Sequence, residues 1–360
     1  MGASKVVLVT GAAGFIGGWV VETLCLRGSA DVRAGIRRWS SAARIARFPV
    51  ELVLCNVTDK HQVAEAMAGA TTVIHCAVGD RNVIVQGTKN LLEGALSAEV
   101  ERFVHLSTAE VYGSVSGSID ESFPYQYTGS EYADSKIEAE ELCWAAYESG
   151  LAVTVLRPSI VYGPFSAVWT TGLARRLQSG RWRVLQGDGE GTCNLVFVND
   201  LISGILLAAG HESAVGEAFN ITGPELITWN AYFQRFSAAL GLPELHEMSP
   251  TGSKLRSAIM EPIRTSASRI LGAFRDPIME MYMRYGVIRR AIRGGKRLME
   301  TTPTLAELDL YSRRARYLTS KARSMLGYRP VFDIDTGLQV SVRWLEHHGF
   351  VHRREAEVGG

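Results

Sequence analysis

The chain has 360 residues, 46% of them apolar and 21% charged, which suits one large domain or two ordinary ones and excludes a disordered chain. Its net charge of +1 gives no overall pull toward nucleic acid. The five cysteines, Cys25, Cys55, Cys76, Cys143 and Cys193, are scattered and contain no C-x-x-C pair. Neither a metal site nor a disulfide framework is indicated, and a reducing, cytoplasmic setting is expected. The first residues lack the apolar core of a signal peptide. The longest apolar run, Leu195–Ala209, is broken by Asn199 and Asp200 and is too short to span a bilayer.

The first element is the most informative. An apolar run from Val6 to Val9 leads straight into Gly11, Gly14 and Gly17, and a helix-compatible segment, Val20 to Leu26, follows. This reads as strand, tight turn and helix. Gly11 permits the turn, Gly14 lets a pyrophosphate approach the backbone, and Gly17 lets the helix pack closely on the strand. The helix N-terminus then offers N–H groups and a positive dipole end to phosphate. Phe15 and Ile16, between the last two glycines, join the expected nucleotide contacts.

Asp31–Ile36 is the second predicted strand and ends in Arg37-Arg38. In a dinucleotide fold this strand end meets the adenosine ribose. An acid there would bind the 2′-hydroxyl, whereas a guanidinium suits a 2′-phosphate. Arg37 therefore favours NADP, with NAD as the alternative. The competing reading is a solvated basic turn, since Arg44 and Arg47 follow.

Val50–Cys55 is a third predicted strand, followed by a helix over Asp59–Ala68, and Thr72–Ala77 is a fourth strand. If strand ends gather at one sheet edge, Asn56 and Val57 lie by the adenine, and Cys76 and Ala77 by the ribose and nicotinamide. His75, inside its strand, reads as a buried structural histidine. A helix is expected over Val85–Ala98 and a fifth strand over Arg102–Leu106.

That strand delivers Ser107, Thr108, Glu110 and Tyr112. About twenty residues further on, Tyr132 and Lys136 open a helix expected to run to Tyr147. Four residues apart, they share one helix face. An ammonium beside a phenol favours the phenolate and lowers its pKa. The tyrosine can then exchange a proton with a carbinol or ketone as hydride moves to or from a nicotinamide. A hydroxyl at Thr108 or Ser107 could hold the substrate oxygen.

Here the chain resembles the extended short-chain dehydrogenases/reductases, the group of nucleotide-sugar epimerases and dehydratases, 3β-hydroxysteroid dehydrogenases and dihydroflavonol reductases. The matching pieces are TGAAGFIG (10–17), VIHCA (73–77), GTKNLLEGA (87–95), LSTAEVYG (106–113), YADSK (132–136), LRPSIVYGP (156–164), GDGEGTCNLVFVNDL (187–201) and SKARSMLGYRP (320–330). The resemblance implies an α/β fold, a doubly wound parallel Rossmann sheet with a smaller, mostly helical substrate lobe. It implies Thr108, Tyr132 and Lys136 as the catalytic triad, with Lys136 also on the nicotinamide ribose and Pro158, Ser159 and Ile160 beside the nicotinamide. Ser107 is expected at the cofactor, and Val78, Arg81, Glu110, Tyr112 and Asn194 at the substrate.

Ala109 stands where a sugar 4,6-dehydratase would carry an acid, which argues against dehydration. The short segment after Ala77 implies an open substrate mouth. Three functions follow: an epimerase or oxidoreductase for a nucleotide-activated sugar, a reductase or 3β-hydroxysteroid-dehydrogenase-like enzyme for a hydrophobic alcohol, and an idle NADP-sensing regulator. The intact Tyr132–Lys136 pair argues against the last.

Residues 1–164 and 194–223 are expected to form the Rossmann domain, 165–193 and 224–352 the substrate lobe, and 353–360 a loose tail. Helices are expected over Trp169–Gly180, Thr228–Leu240 and Ile334–His347, and a last core strand over Ala218–Thr222. The stretch 254–297 carries eleven Lys or Arg against three acids. Pro262 and Pro277 are read there as the starts of two amphipathic helices. Three placements of their arginines are open: at solvent, at a substrate diphosphate, or at an anionic membrane surface touched peripherally. A homodimer acting on a small molecule is the expected assembly.

Overall fold

The computed structural model of this chain describes residues 5–28, 30–273 and 301–351, with residues 263–273 through their backbone alone. Two compact units divide it. The first takes residues 1–166, 194–225 and 316–334, and the second 167–193, 226–315 and 335–360. Residues 316–334, read from the sequence as substrate lobe, thus belong with the first unit. The reason is long-range bonding: Asp200 accepts from the Val331 and Phe332 amides at 3.0 and 3.1 Å, and the Tyr328 hydroxyl donates to the Thr222 carbonyl at 3.1 Å.

The first unit is a seven-stranded parallel sheet. Its strands are β1 (Val6–Thr10), β2 (Asp31–Ile36), β3 (Glu51–Leu54), β4 (Thr72–His75), β5 (Arg102–Leu106), β6 (Val153–Pro158) and β7 (Glu217–Ile221). They lie in the order β7-β6-β5-β4-β1-β2-β3. Every residue of β4, β5 and β6 is buried. Parallel strands covered on both faces read as continuous apolar runs, which is why the sequence shows them clearly. Register aligns Thr10 with His75, His75 with His105, and Leu106 with Leu156. The C-terminal strand ends therefore share one edge, with the order reversing between β1 and β4. Ligands of open α/β sheets bind at such a switch point.

Between the strands run α1 (Phe15–Arg27), α2 (Lys60–Met67), α3 (Gly87–Ser97), α4 (Glu131–Glu148) and α5 (Val198–Gly210). Asp59 caps α2 through the His61 and Gln62 amides. Ser130 caps α4 through the Ala133 amide, and Glu131 and Asp134 place acids in its first turn, where the dipole favours them. A π-turn over Asn82–Gln86 precedes α3, so this helical path starts before the expected Val85. Leu8, Val73, Phe103, Val153 and Val155 of the sheet pack with Leu91, Leu92 and Cys143 of α3 and α4 in one core.

The second unit is helical around an aromatic core. Trp229 and Phe233, on the helix Trp229–Ala239, pack on Tyr311, with ring centroids at 4.5 and 5.3 Å. Arg176 pairs with Glu307 at 2.6 Å. The helix Pro250–Ala273 begins twelve residues before Pro262 and runs through it, so Pro262 is not the expected helix start. Proline inside a helix removes one backbone bond and crowds the carbonyl four residues before it. The second helix expected in the basic stretch, from Pro277, and the loose tail lie outside the described residues.

Two glycines fix the turn after β1. Gly11 has φ +66°, and a Cβ there would lie 2.7 Å from the Ala77 amide nitrogen. A Cβ at Gly17 would lie 2.3 Å from the Gly11 carbonyl oxygen. Gly17→Ala should therefore push α1 off the turn and destabilise the fold by about 1–3 kcal/mol, the usual scale of overpacking. Gly210→Ala, which meets nothing within 4 Å, serves as control. Urea unfolding that finds equal midpoints for both variants would contradict this reading of the turn.

Candidate active site

The glycine turn leaves α1 with no side-chain cap, since its N-cap is Gly14. The first-turn amides are thus left for an anion, at a turn that Gly11 lets pack directly on the Cys76–Ala77 backbone. This fits the diphosphate of a dinucleotide. Arg37, just past β2, is exposed.

Arg44 is not part of a solvated turn. Its guanidinium lies 3.6 Å from the Phe165 ring centroid and donates to the carbonyls of Gly14 and Phe15 at 3.2 and 3.3 Å. Burial pushes its pKa down to about 10, against the opposing pull of Glu22. It braces the glycine turn from outside, and Phe165 holds it with φ +72°, a rare conformation for a non-glycine residue. Nothing in the local sequence marks this role, because the contacts come from distant residues.

Asn56 and Val57 follow β3. The Asn56 side chain accepts from the Thr58 hydroxyl at 3.1 Å, and Val57 is buried in the core. Cys76 and Ala77 sit at the end of β4, where the Cys76 amide donates to the Thr10 carbonyl at 3.2 Å. His75 is buried, with Nδ1 at 2.7 Å from the Thr10 hydroxyl and Nε2 at 3.1 Å from the Thr88 hydroxyl. Burial lowers its pKa to about 3, so it is a neutral structural residue. Pro158 ends β6, the Ser159 hydroxyl bonds to Thr222 at 3.0 Å, and the Ile160 amide bonds to the Asn194 carbonyl at 3.1 Å.

Thr108, Tyr132 and Lys136 come together at the end of β5. The Tyr132 phenol is hydrogen-bonded to Thr108. Lys136, one turn along α4, is buried and donates from Nζ to the Leu106 carbonyl at 2.7 Å. Burial lowers the Lys136 pKa to about 8, opposed by Cys76, Cys143 and Glu140. The Tyr132 pKa moves upward, opposite to the direction the four-residue spacing suggests. Its surroundings disfavour the phenolate, the Thr108 bond favours it, and the Glu110 charge disfavours it. Lys136 spends its nearest bond on the strand backbone instead of the phenol. The residue is 42% exposed, so solvent screens part of the upward push.

The other residues expected at the ligands are placed as follows. The Ser107 hydroxyl donates to the buried Glu140 carboxylate, not toward a ligand. Tyr112, expected at the substrate, is fully buried; its hydroxyl donates to Asn220 at 2.7 Å and accepts from Arg157 at 2.9 Å. Asn194, also expected there, is buried and accepts from the Tyr317 amide at 3.3 Å, joining two segments of the first unit. Val78 is 62% exposed. Arg81 forks onto Glu138 of α4, and Glu110 donates its amide to Thr108 at 3.2 Å.

Glu140 was not foreseen. It is buried on α4 one turn beyond Lys136. It accepts from Arg157 of β6 at 2.7 Å through Nη2, and from the Tyr125 hydroxyl at 2.8 Å. The sequence hint is that Tyr132, Lys136 and Glu140 recur every four residues on one helix face.

Comparison with known proteins places the chain. Residues 7–222 match the NAD dependent epimerase/dehydratase family. The 3beta-hydroxysteroid-dehydrogenase/decarboxylase isoform 1 of Arabidopsis thaliana is 25% identical over 86% of this chain and 70% of its own length. The fold is similar to UDP-glucose 4-epimerase of Thermotoga maritima, solved with UDP-glucose (TM-score 0.71, 21% identity, 96% of this chain and 99% of that one). It is similar too to dTDP-glucose 4,6-dehydratase of Streptomyces venezuelae, solved with NAD (TM-score 0.70, 25% identity, 97% and 99%). With its glycine turn, its parallel sheet and the Tyr132–Lys136 helix, the chain belongs to the NAD dependent epimerase/dehydratase family of extended short-chain dehydrogenases/reductases.

Proposed function

We propose that this protein moves a hydride between a nicotinamide cofactor, NADP in preference to NAD, and a carbinol or ketone carbon of a nucleotide-activated sugar. The observation that carries the chemistry is the meeting of Thr108, Tyr132 and Lys136 at the strand edge that also holds the glycine turn. The first-turn amides of α1 would hold the diphosphate, with the turn kept in place by Arg44, and the bound nicotinamide would supply or take the hydride. Thr108 and Tyr132 form a hydrogen-bonded hydroxyl pair suited to a substrate oxygen. With its pKa raised, Tyr132 is protonated at neutral pH and suits the donor role toward a ketone oxygen. The reverse direction requires it to take the carbinol proton, which the Thr108 bond assists. Lys136, largely an ammonium at neutral pH, holds the strand end beneath them.

The NADP preference is supported by the place of Arg37, exposed just past β2 without an acid beside it in sequence. The Arabidopsis relative supports a second reading, a hydrophobic alcohol. So do Leu255 and Ile259, 60% and 56% exposed one turn apart beside Lys254, which would suit peripheral membrane contact. A panel of UDP-glucose, UDP-glucuronate and 3β-hydroxysteroids with either cofactor separates the two. Product is read by chromatography and by absorbance at the reduced nicotinamide band. Turnover of steroids alone would overturn the sugar reading.

Tyr132→Phe should leave cofactor binding near normal and lower turnover by roughly a hundredfold or more, the usual scale for a lost general acid/base. Wild-type turnover in the variant would refute the assignment. Arg37→Ala should weaken NADPH far more than NADH, since only NADPH brings a 2′-phosphate for a guanidinium to pair with. Nicotinamide fluorescence titration measures both, and equal losses would contradict the cofactor preference.

A further inference from the structure

Tyr132, Lys136 and Glu140 form a ladder on α4, and each rung reaches the end of β5. Tyr132 bonds to Thr108, Lys136 to the Leu106 carbonyl, and Glu140 to the Ser107 hydroxyl. The last rung is held from behind. Arg157 Nε lies 3.1 Å from both Glu140 oxygens and Nη2 lies 2.7 Å from Oε2, while Tyr125 donates to Oε2 at 2.8 Å and is itself held by Trp144 Nε1 at 2.9 Å. Neither ion meets water: the side chains of Glu140 and Arg157 are 0% and 4% exposed.

The charges around Lys136 can be counted by element. On α4 are Glu140, Cys143 and Tyr132. From β4 come His75 and Cys76, from β5 His105, and from β6 Arg157, which faces Glu140. Burial lowers both histidines, His75 to about 3, so neither carries charge at neutral pH. Burial raises both thiols, Cys76 to about 12, so neither is a thiolate. Glu140 is then the one full negative charge among the groups that interact with Lys136.

We propose that Glu140 is a positioning residue for the Tyr132–Lys136 pair: fixed by Arg157 and Tyr125, it pins Ser107 and so the strand end that carries Thr108, and it supplies the charge that keeps Lys136 an ammonium. This rests on the catalytic reading of Tyr132 and Lys136 given above. The pinning part is geometric, since three consecutive residues, 106 to 108, are tied to three consecutive turns of one helix. The charge part follows from a carboxylate one turn away in surroundings of low dielectric, where opposite charge favours the ionised form.

The test uses the full-length protein labelled with carbon-13 at lysine Cε, with the Lys136 signal assigned by its loss in Lys136→Arg. Its titration midpoint is followed by NMR. In Glu140→Gln the midpoint should fall by about one unit or more. Because that variant leaves Arg157 buried and unpaired, a second one, Glu140→Gln with Arg157→Met, removes both charges and should show a smaller fall of the same sign, since Glu140 and not Arg157 acts on Lys136 directly. Ser107→Ala keeps every charge, so its Lys136 midpoint should stay while amide exchange over residues 107–110 rises severalfold. An unmoved midpoint in either folded Glu140 variant would overturn the charge role, and unchanged exchange in Ser107→Ala would overturn the pinning. If both Glu140 variants lose the fold, Ser107→Ala still tests the positioning role, and unchanged exchange there overturns the proposal as a whole. These outcomes are separate from an active Tyr132→Phe, which would refute the catalytic reading and leave the Lys136 titration as it is.

Discussion

A buried carboxylate and a buried guanidinium cannot be left apart, and much of the first unit is arranged around keeping Glu140 and Arg157 together. Breaking such a pair costs about 3–5 kcal/mol, because the surviving ion stays in a medium that cannot solvate it. The pair joins α4 to β6. Through Tyr125, Tyr112, Asn220 and Ser107 it also reaches the loop after β5, strand β7 and the end of β5. Arg157 is held further into its charged form by Glu140, its largest stabilising influence against burial. Beneath the surface that carries Thr108 and Tyr132 there is thus a rigid polar floor instead of an apolar one.

The opposite side of the switch point is built on a different constraint. There the backbone itself must come close, of β4 to Gly11 and of α1 to the same turn, and only glycine leaves the room. Arg44 closes this side with a cation on an aromatic ring, next to the Trp19 Nε1–H that donates to the Pro164 carbonyl at 3.0 Å. Rigid backbone on one side and a fixed polar network on the other give the strand edge two anchored halves. A cofactor and a carbinol carbon must be held to a fraction of an ångström for hydride to move, and such anchoring supplies that fit.

The fold was legible because its signals are local. Buried parallel strands are short apolar runs, and Asp31–Ile36 and Arg102–Leu106 were read with their observed ends. The glycine spacing and the Tyr132–Lys136 spacing each lie within one turn and one helix. What the sequence hid is long-range. Glu140 and Arg157 look like any exposed Glu and Arg until β6 is laid beside α4. Arg44 looks like a solvated charge until Phe165 returns to it from over a hundred residues away. Tyr112 and Asn194 look like substrate residues for the same reason: polar groups in a family motif also serve as internal braces. Residues 316–334 follow a helical unit in sequence but carry Tyr328 and the amides that Asp200 needs. The direction of the Tyr132 shift was missed because spacing says which residues share a face, not which acceptor an ammonium will choose.

The central claim is that hydride passes between a bound nicotinamide and a carbinol carbon beside Tyr132. It is tested most directly by isotope transfer in a single turnover. Enzyme loaded with NADP+ or NAD+ is mixed with the substrate that the panel identifies, deuterated at the reacting carbinol carbon; the mixture is quenched within one turnover and the nicotinamide is weighed by mass spectrometry. The account predicts one deuterium at C4 of the reduced nicotinamide. Oxidation of the carbinol at the wild-type rate with no deuterium on the nicotinamide would contradict it.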